Sequence, residues 1–200
     1  TRDAVSLGMA FLAAGLPILE ITFRTAAAGD VIRKLTGELP DLCVGAGTVL
    51  SLTQLDQAVA AGADFVVAPG LNPAVVAVAQ DKGMPIIPGI MTPSEIERAM
   101  GLGLDLVKFF PAAAAGGVKA LGAYRGPYPS MRFMPTGGVG PDNLAQYLSL
   151  PNVTACGGSW MAPESLLRQR RFSDITTLAA KAVTQPWPSA LTGVRLSRRE

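Results

Sequence analysis

Four times in this chain a glycine is followed by one residue, then by Pro or Asp, and then by a short apolar run. The copies are Gly15-Leu16-Pro17 before Ile18-Leu19-Glu20-Ile21, Gly62-Ala63-Asp64 before Phe65-Val66-Val67, Gly83-Met84-Pro85 before Ile86-Ile87, and Gly103-Leu104-Asp105 before Leu106-Val107. The last three glycines stand 21 and 20 residues apart. Each copy fits a helix C-cap and a tight turn that feeds a strand. Between the copies, Leu52, Leu55, Ala58 and Val59 share one helical face, and so do Val75, Val76 and Ala79. Ser51 to Asp56 and Thr92-Pro93-Ser94-Glu95 read as helix starts. Further strands are expected near 42–46, 132–136 and 153–157, and further helices near 1–14, 25–37, 115–123, 141–149 and 172–184.

Strands that alternate with helices at intervals of ~20–25 residues form a parallel sheet, because parallel neighbours need a crossover. Two architectures compete, an open doubly wound sheet and a closed eightfold barrel. Polar and glycine-rich residues follow nearly all of the seven legible strands instead of gathering at one crossover. An α/β fold of the (β/α)8 TIM-barrel class is therefore expected. The 200 residues suffice for one domain, expected over 1–184 with a tail at 185–200. With 49% hydrophobic but only 6% aromatic residues, the core must be built from Ala, Val, Leu and Ile.

Composition excludes several functions. A net charge of +2 gives no extended basic field, so nucleic acid is not an expected partner. Arg168, Arg170 and Arg171, like Arg195, Arg198 and Arg199, read as solvated surface. The chain has no histidine, which removes the commonest general base and metal ligand. Cys43 and Cys156 sit in separate short apolar runs without metal-ligand spacing, and buried reduced thiols point to the cytoplasm. No apolar run approaches the ~18 residues of a membrane span, so no membrane partner is expected. No signal peptide is visible, and because the chain opens at Thr1 without methionine, a preceding segment is expected to be absent from it.

One side chain conflicts with its surroundings. Lys108 interrupts the apolar run Leu106-Val107-Lys108-Phe109-Phe110, whereas Lys34, Lys82, Lys119 and Lys181 fall where water can reach them. Such a lysine either snorkels from a strand end or, if desolvated, loses proton affinity and becomes a nucleophile towards carbonyl carbon. Glu20 is the only glutamate inside a strand. Alternation puts Ile18, Glu20 and Thr22 on one face, and Leu106, Lys108 and Phe110 on one face. If both faces point inward, Glu20 and Lys108 share a cavity. Glu20 is then either a structural ion-pair partner of Lys108 or Arg24, or a proton shuttle where histidine is lacking. Two glycine pairs, Thr136-Gly137-Gly138 and Gly157-Gly158-Ser159, follow the last two strands. There, backbone amides and a following helix start could receive phosphate.

Six segments carry a family resemblance: Glu20-Ile21-Thr22-Phe23-Arg24-Thr25, Val44-Gly45-Ala46-Gly47-Thr48-Val49-Leu50, Pro88-Gly89-Ile90, Val107-Lys108-Phe109-Phe110-Pro111-Ala112, Pro135-Thr136-Gly137-Gly138-Val139 and Gly157-Gly158-Ser159-Trp160. In this order they resemble the motifs of bacterial 2-keto-3-deoxy-6-phosphogluconate (KDPG) aldolases, a family that includes the bifunctional 4-hydroxy-2-oxoglutarate (KHG) aldolases. The resemblance runs from about residue 4 to 183. It implies a (β/α)8 barrel and a homotrimer, with no metal or other cofactor. The implied reaction cleaves KDPG to pyruvate and glyceraldehyde 3-phosphate through a Schiff base on Lys108, with Glu20 moving protons. Arg24, Thr48, Pro69, Phe110 and Thr136 are implied to bind substrate, and Gly137, Gly138, Gly158 and Ser159 its phosphate. KHG cleavage to pyruvate and glyoxylate is the nearest alternative, and a non-catalytic phosphate-binding barrel the alternative of another class. The chain departs from the family at Ala113 and Ala115, where a glutamate and an asparagine are usual, and it lacks the family's opening strand ahead of the first helix. That leaves an expected gap between the strands at 18–23 and 153–157, which Trp187 and Leu191 of the tail could partly cover.

Overall fold

The structure, a computed structural model, describes residues 3–184. Helix α1 (Ala4–Ala13) leads into β1 (Ile18–Thr22), and the chain then alternates through α2 (Ala28–Glu38), β2 (Cys43–Gly47), α3 (Leu52–Ala60), β3 (Phe65–Val67) and α4 (Pro73–Asp81). Strands β4 (Ile86–Ile87) and β5 (Gly89–Ile90) follow, then α5 (Pro93–Gly101), β6 (Leu106–Phe109), α6 (Gly117–Tyr124) and β7 (Arg132–Pro135). Helices α7 (Leu144–Leu148), α8 (Glu164–Arg168) and α9 (Phe172–Val183) complete it.

The recurring glycine motif is a helix stop, as expected. Gly15, Gly62, Gly83 and Gly103 take φ of 74°, 81°, 64° and 75°, the left-handed region open to glycine. In each copy the glycine N–H and the next N–H return to the last helical turn, as in Gly103 to Met100 O (2.9 Å) and Leu104 to Ala99 O (3.1 Å). This double closure satisfies carbonyls that a helix end otherwise leaves open, and it turns the chain into the next strand. The same pattern ends α8 with Arg170 in the glycine position, at φ 55°.

All strand pairing is parallel. The ladders run β1-β2-β3-β4 and β5-β6-β7. The strand expected at Ile86-Ile87 is followed, past Pro88 with no N–H to offer, by a second short strand at Gly89–Ile90. The first pairs with β3 (Val66 with Ile86) and the second with β6 (Gly89 with Lys108), so one stave joins the two ladders. The expected strand at 153–157 is instead two isolated parallel bridges to β7, Phe133 with Val153 and Thr136 with Gly157. Pro135 lies between those contacts and cannot donate, so the ladder breaks there. Helix α7 is shorter than the expected 141–149, because the Asn143 side chain holds Gly140 N–H and Gly138 O in the preceding turn. Helix α8 was not expected.

These staves are seven of a (β/α)8 barrel. Val44, Ala46, Val66, Val107, Phe109 and Phe133, all inaccessible to solvent, face the helices and fill the main core with Ile32, Leu35, Leu55, Ile96 and Leu121. Strand β1 pairs with β2 alone, and among the described residues no hydrogen bond joins it to 153–157. The helices flanking this seam pack together: Ala10 and Phe11 of α1, with Ala14 at its C-cap, meet Ile175 and Ala179 of α9. Thr176 Oγ1 donates to Ala10 O at 3.1 Å. Trp187, Leu191, Arg195, Arg198 and Arg199 lie outside the described residues.

Gly103 has no atom within 4 Å of a Cβ built upon it, so its replacement tests the backbone alone. Gly103→Ala should lower stability by about 1 kcal/mol, the left-handed penalty of an L-residue. Denaturant unfolding of the two proteins should show a lower midpoint at unchanged slope.

Candidate active site

Parallel pairing brings the C-terminal ends of all staves to one mouth. Lys108 projects into the barrel between the outward-facing Val107 and Phe109 and is 6% exposed, while Lys34, Lys119 and Lys181 stand on helices and Lys82 caps the end of α4. Its Nζ lies 4.8 Å from the centre of the Phe110 ring. Burial pushes the Lys108 pKa below its ordinary value. Glu20 pulls it back up, and Arg24 lowers it further. Burial likewise pushes the Glu20 carboxyl above its ordinary value, against the positive charges of Lys108 and Arg24. The two inward faces therefore do share one cavity. Among the described residues no ion pair within 4.0 Å joins Glu20 to Lys108 or Arg24, so the direct structural pair considered above is not formed. Arg24 acts on the two groups in complementary ways: its charge favours both the free amine and the ionised carboxylate, the nucleophile-and-base combination.

Arg24 itself is exposed at the rim, and its Nε donates to Thr22 Oγ1 at 3.2 Å. Thr22 is thus the residue that orients it, two positions back on the same strand face. Thr48 follows β2 with φ 60°, which a β-branched residue adopts only under strain. Pro69 and Phe110 are half-buried at the ends of β3 and β6. The Thr136 hydroxyl is buried without a hydrogen-bond partner among the described residues, and it lies over Gly157, where a Cβ would come within 2.6 Å of it.

The glycine loops are built with care. Gly137 and Gly138 have φ of 91° and 78°. Gly137 lies against Phe110 and Pro111, and a Cβ on Gly138 would overlap the Ala113 methyl. Two backbone bonds tie this loop to the one after Lys108: Ala112 N to Thr136 O at 2.8 Å and Ala113 N to Gly137 O at 3.0 Å. The Trp160 ring lies flush against Gly158, where a Cβ would overlap it. The amides of Gly137, Gly138, Gly158 and Ser159 donate to no protein acceptor among the described residues. Four open donors thus lie on the two loops. The helix dipole expected to assist them is not adjacent, since α7 and α8 are short and begin only at Leu144 and Glu164. Sequence reasoning missed Thr22, Asn143 and Trp160 as supports of this site. Asn143, a turn-former after a glycine pair, carried the clearest signal.

Among the described residues no three or more Cys, Asp or Glu side chains converge, and no helix is long and apolar enough to cross a membrane. The larger surface cleft, about 550 Å³, lies outside the barrel over α2 and α3 and shares only Arg24 with the site. Burial raises the Cys156 thiol to about 12, so it stays protonated and unreactive.

A parallel barrel with a desolvated lysine and a half-buried carboxylate suits covalent chemistry at a carbonyl carbon. The chain belongs to the aldolase family described as KDPG and KHG aldolase, whose model matches residues 1–178. It is 48% identical over 182 residues to a 2-dehydro-3-deoxy-phosphogluconate aldolase of Treponema pallidum, covering 91% of this chain and 87% of that one. It is 46% identical to the KHG/KDPG aldolase of Escherichia coli K12, over 91% and 85% of the two chains. Its fold matches a crystal structure of KDPG aldolase from Legionella pneumophila with TM-score 0.88 and 41% identity, over 90% and 88% of the chains. That structure holds pyruvate as a covalent carbinolamine.

The raised Glu20 pKa has a consequence for stability. In the window between the ordinary carboxyl value of about 4.3 and the raised folded value, the native state binds more protons than the unfolded one. Stability contributed by Glu20 is therefore present at low pH and lost as pH rises through that window. The unfolding free energy of Glu20→Gln, compared with that of the unsubstituted protein, should rise relative to it from pH 4 upward; parallel pH curves would contradict the buried placement of the carboxyl.

Proposed function

We propose that the chain is a class I aldolase cleaving 2-dehydro-3-deoxy-6-phosphogluconate to pyruvate and glyceraldehyde 3-phosphate, with its residues dividing the work as follows. The Lys108 amine adds to the C2 carbonyl to form a carbinolamine, which loses water to become an iminium ion. Glu20 supplies the proton that leaves with this water and then takes the proton of the 4-hydroxyl. The C3–C4 bond breaks, its electron pair passing into the iminium to give an enamine, and the aldehyde departs. Protonation of the enamine at C3 and hydrolysis of the iminium release pyruvate and restore Lys108. The observation that carries this reading is Lys108, the lysine withdrawn from water and electrostatically coupled to the half-buried Glu20 carboxylate.

Arg24, oriented by Thr22, and Thr48 hold the substrate carboxylate, the guanidinium being suited to a bidentate grip. Pro69 and Phe110 wall the pyruvyl portion. The unpartnered Thr136 hydroxyl bonds substrate oxygen. The open amides of Gly137, Gly138, Gly158 and Ser159, with the Ser159 hydroxyl, seat the phosphate. KHG cleavage uses the same lysine, and the dual name of the Escherichia coli relative favours it as a second activity. The barrel unit is 1–184. Its assembly is a homotrimer, for which the exposed Leu50, Leu52 and Met91 beside the mouth offer apolar surface. The unbridged Cys156 thiol fits a cytoplasmic setting.

Borohydride reduction with pyruvate should label Lys108 and leave Lys34, Lys82, Lys119 and Lys181 unmodified by peptide mapping. Lys108→Ala and Lys108→Arg should both lose nearly all turnover, since guanidinium is too basic to attack. An adduct elsewhere, or active enzyme without one, would overturn the assignment. Gly158→Asp, and more weakly Ser159→Ala, should raise KM for the phosphorylated substrate while sparing imine formation with pyruvate and KHG cleavage. Equal losses on phosphorylated and unphosphorylated substrates would remove the phosphate site from Gly158.

A further inference from the structure

The inward face of β2 is nearly bare. Gly45 and Gly47 alternate on it, both buried, while Val44 and Ala46 point to the helices. The space left at Gly45 is taken by the Phe65 ring of β3, and the space at Gly47 is taken by Glu20 of β1. A Cβ built on Gly47 would overlap Glu20 Oε1 and lie 2.6 Å from its Cδ and 2.8 Å from its Cγ. The three nearest atoms all belong to the outer half of one side chain. The Glu20 carboxyl group thus rests across the neighbouring strand, in the volume that a side chain at 47 would fill.

We infer that Gly47 is a positioning residue: by lacking a side chain it seats the Glu20 carboxylate over β2, aimed into the lumen towards Lys108. The assignment rests on the reading of Glu20 as the proton-transfer group. It follows from which atom must yield. The backbone at Gly47 is pinned, because it pairs with Thr22 and its carbonyl accepts from Phe23 N at 2.7 Å. Its φ lies outside the left-handed region, so alanine fits the backbone without strain. The only relief for an added methyl is therefore rotation of the flexible carboxylate out of its seat. Gly89 is the opposite case: its Cβ would strike the backbone of Pro69 and lie 2.8 Å from Gly70 N, so there the fold itself must give. The two glycines separate a catalytic constraint from a structural one.

The test is a double-mutant cycle at saturating KDPG in the full chain, with thermal unfolding of each variant. Gly47→Ala should unfold near the unsubstituted midpoint, with kcat reduced on the order of 10²-fold, the scale for a misplaced catalytic group. Borohydride trapping of pyruvate on Lys108 should persist, and KM should change little. Glu20→Gln alone should lose 10²–10⁴-fold, as for a lost general acid–base. Because Gly47 acts through Glu20, Glu20→Gln/Gly47→Ala should be no slower than Glu20→Gln. Gly89→Ala should lower the unfolding midpoint instead. Losses that multiply in the double variant, an unchanged kcat in Gly47→Ala, or a destabilisation matching that of Gly89→Ala would each overturn the role of Gly47 while leaving Glu20 in place. An unchanged kcat in folded Glu20→Gln would overturn the acid–base reading, and the positioning role with it.

Discussion

Parallel pairing imposes one direction on every stave, and the rest of the molecule follows from it. A chain that always runs the same way through its sheet must return outside it, so each strand needs a helix and each helix a reliable stop. The four glycine stops at one end of the barrel are this requirement made local. At the other end each stave releases its next residue to a common mouth, and Arg24, Thr48, Pro69, Phe110, Thr136 and Ser159 meet there although 135 residues separate the first from the last. One end of the barrel is occupied with turning the chain, and the other is left to chemistry.

Inside, Lys108 and Glu20 are withdrawn from water, and among the described residues no ion pair within 4.0 Å joins them. Burial alone moves Lys108 and Glu20 towards neutrality, and each partly restores the charge of the other. Shifts of these opposite directions bring the two proton affinities closer together, which suits a reaction in which a proton must move several times. Direct contact would have settled the pair as ammonium and carboxylate and left the amine without its lone pair. Arg24 at the rim biases the balance towards amine and carboxylate from a place where its own charge stays solvated.

How much of this was legible depended on whether a feature is written along the chain or across it. The glycine stops, the alternation around Lys108 and the two glycine pairs are linear patterns, and the structure has them where the sequence places them. The common cavity of Glu20 and Lys108 followed from alternation as well. The break at Pro88 and the loss of regular pairing at 153–157 depend on which N–H groups a neighbouring strand requires, and a single strand does not carry that information. Trp160 against Gly158 and Glu20 against Gly47 were illegible for the same reason. A glycine written in the sequence shows that a side chain is absent, but not whose side chain uses the room.

The two backbone bonds that join the loop after Lys108 to the glycine loop after β7 have a further consequence. They tie the main chain that follows Lys108 to that of Gly137 and Gly138, so the spacing of the two segments is set by backbone hydrogen bonds. A substrate bonded to Lys108 and anchored by its phosphate at the glycine loop, as proposed, would be measured between them as between the jaws of a caliper. Its chain length would then be gauged chiefly by the main chain, and the identity of the groups along it would be left for side chains to read.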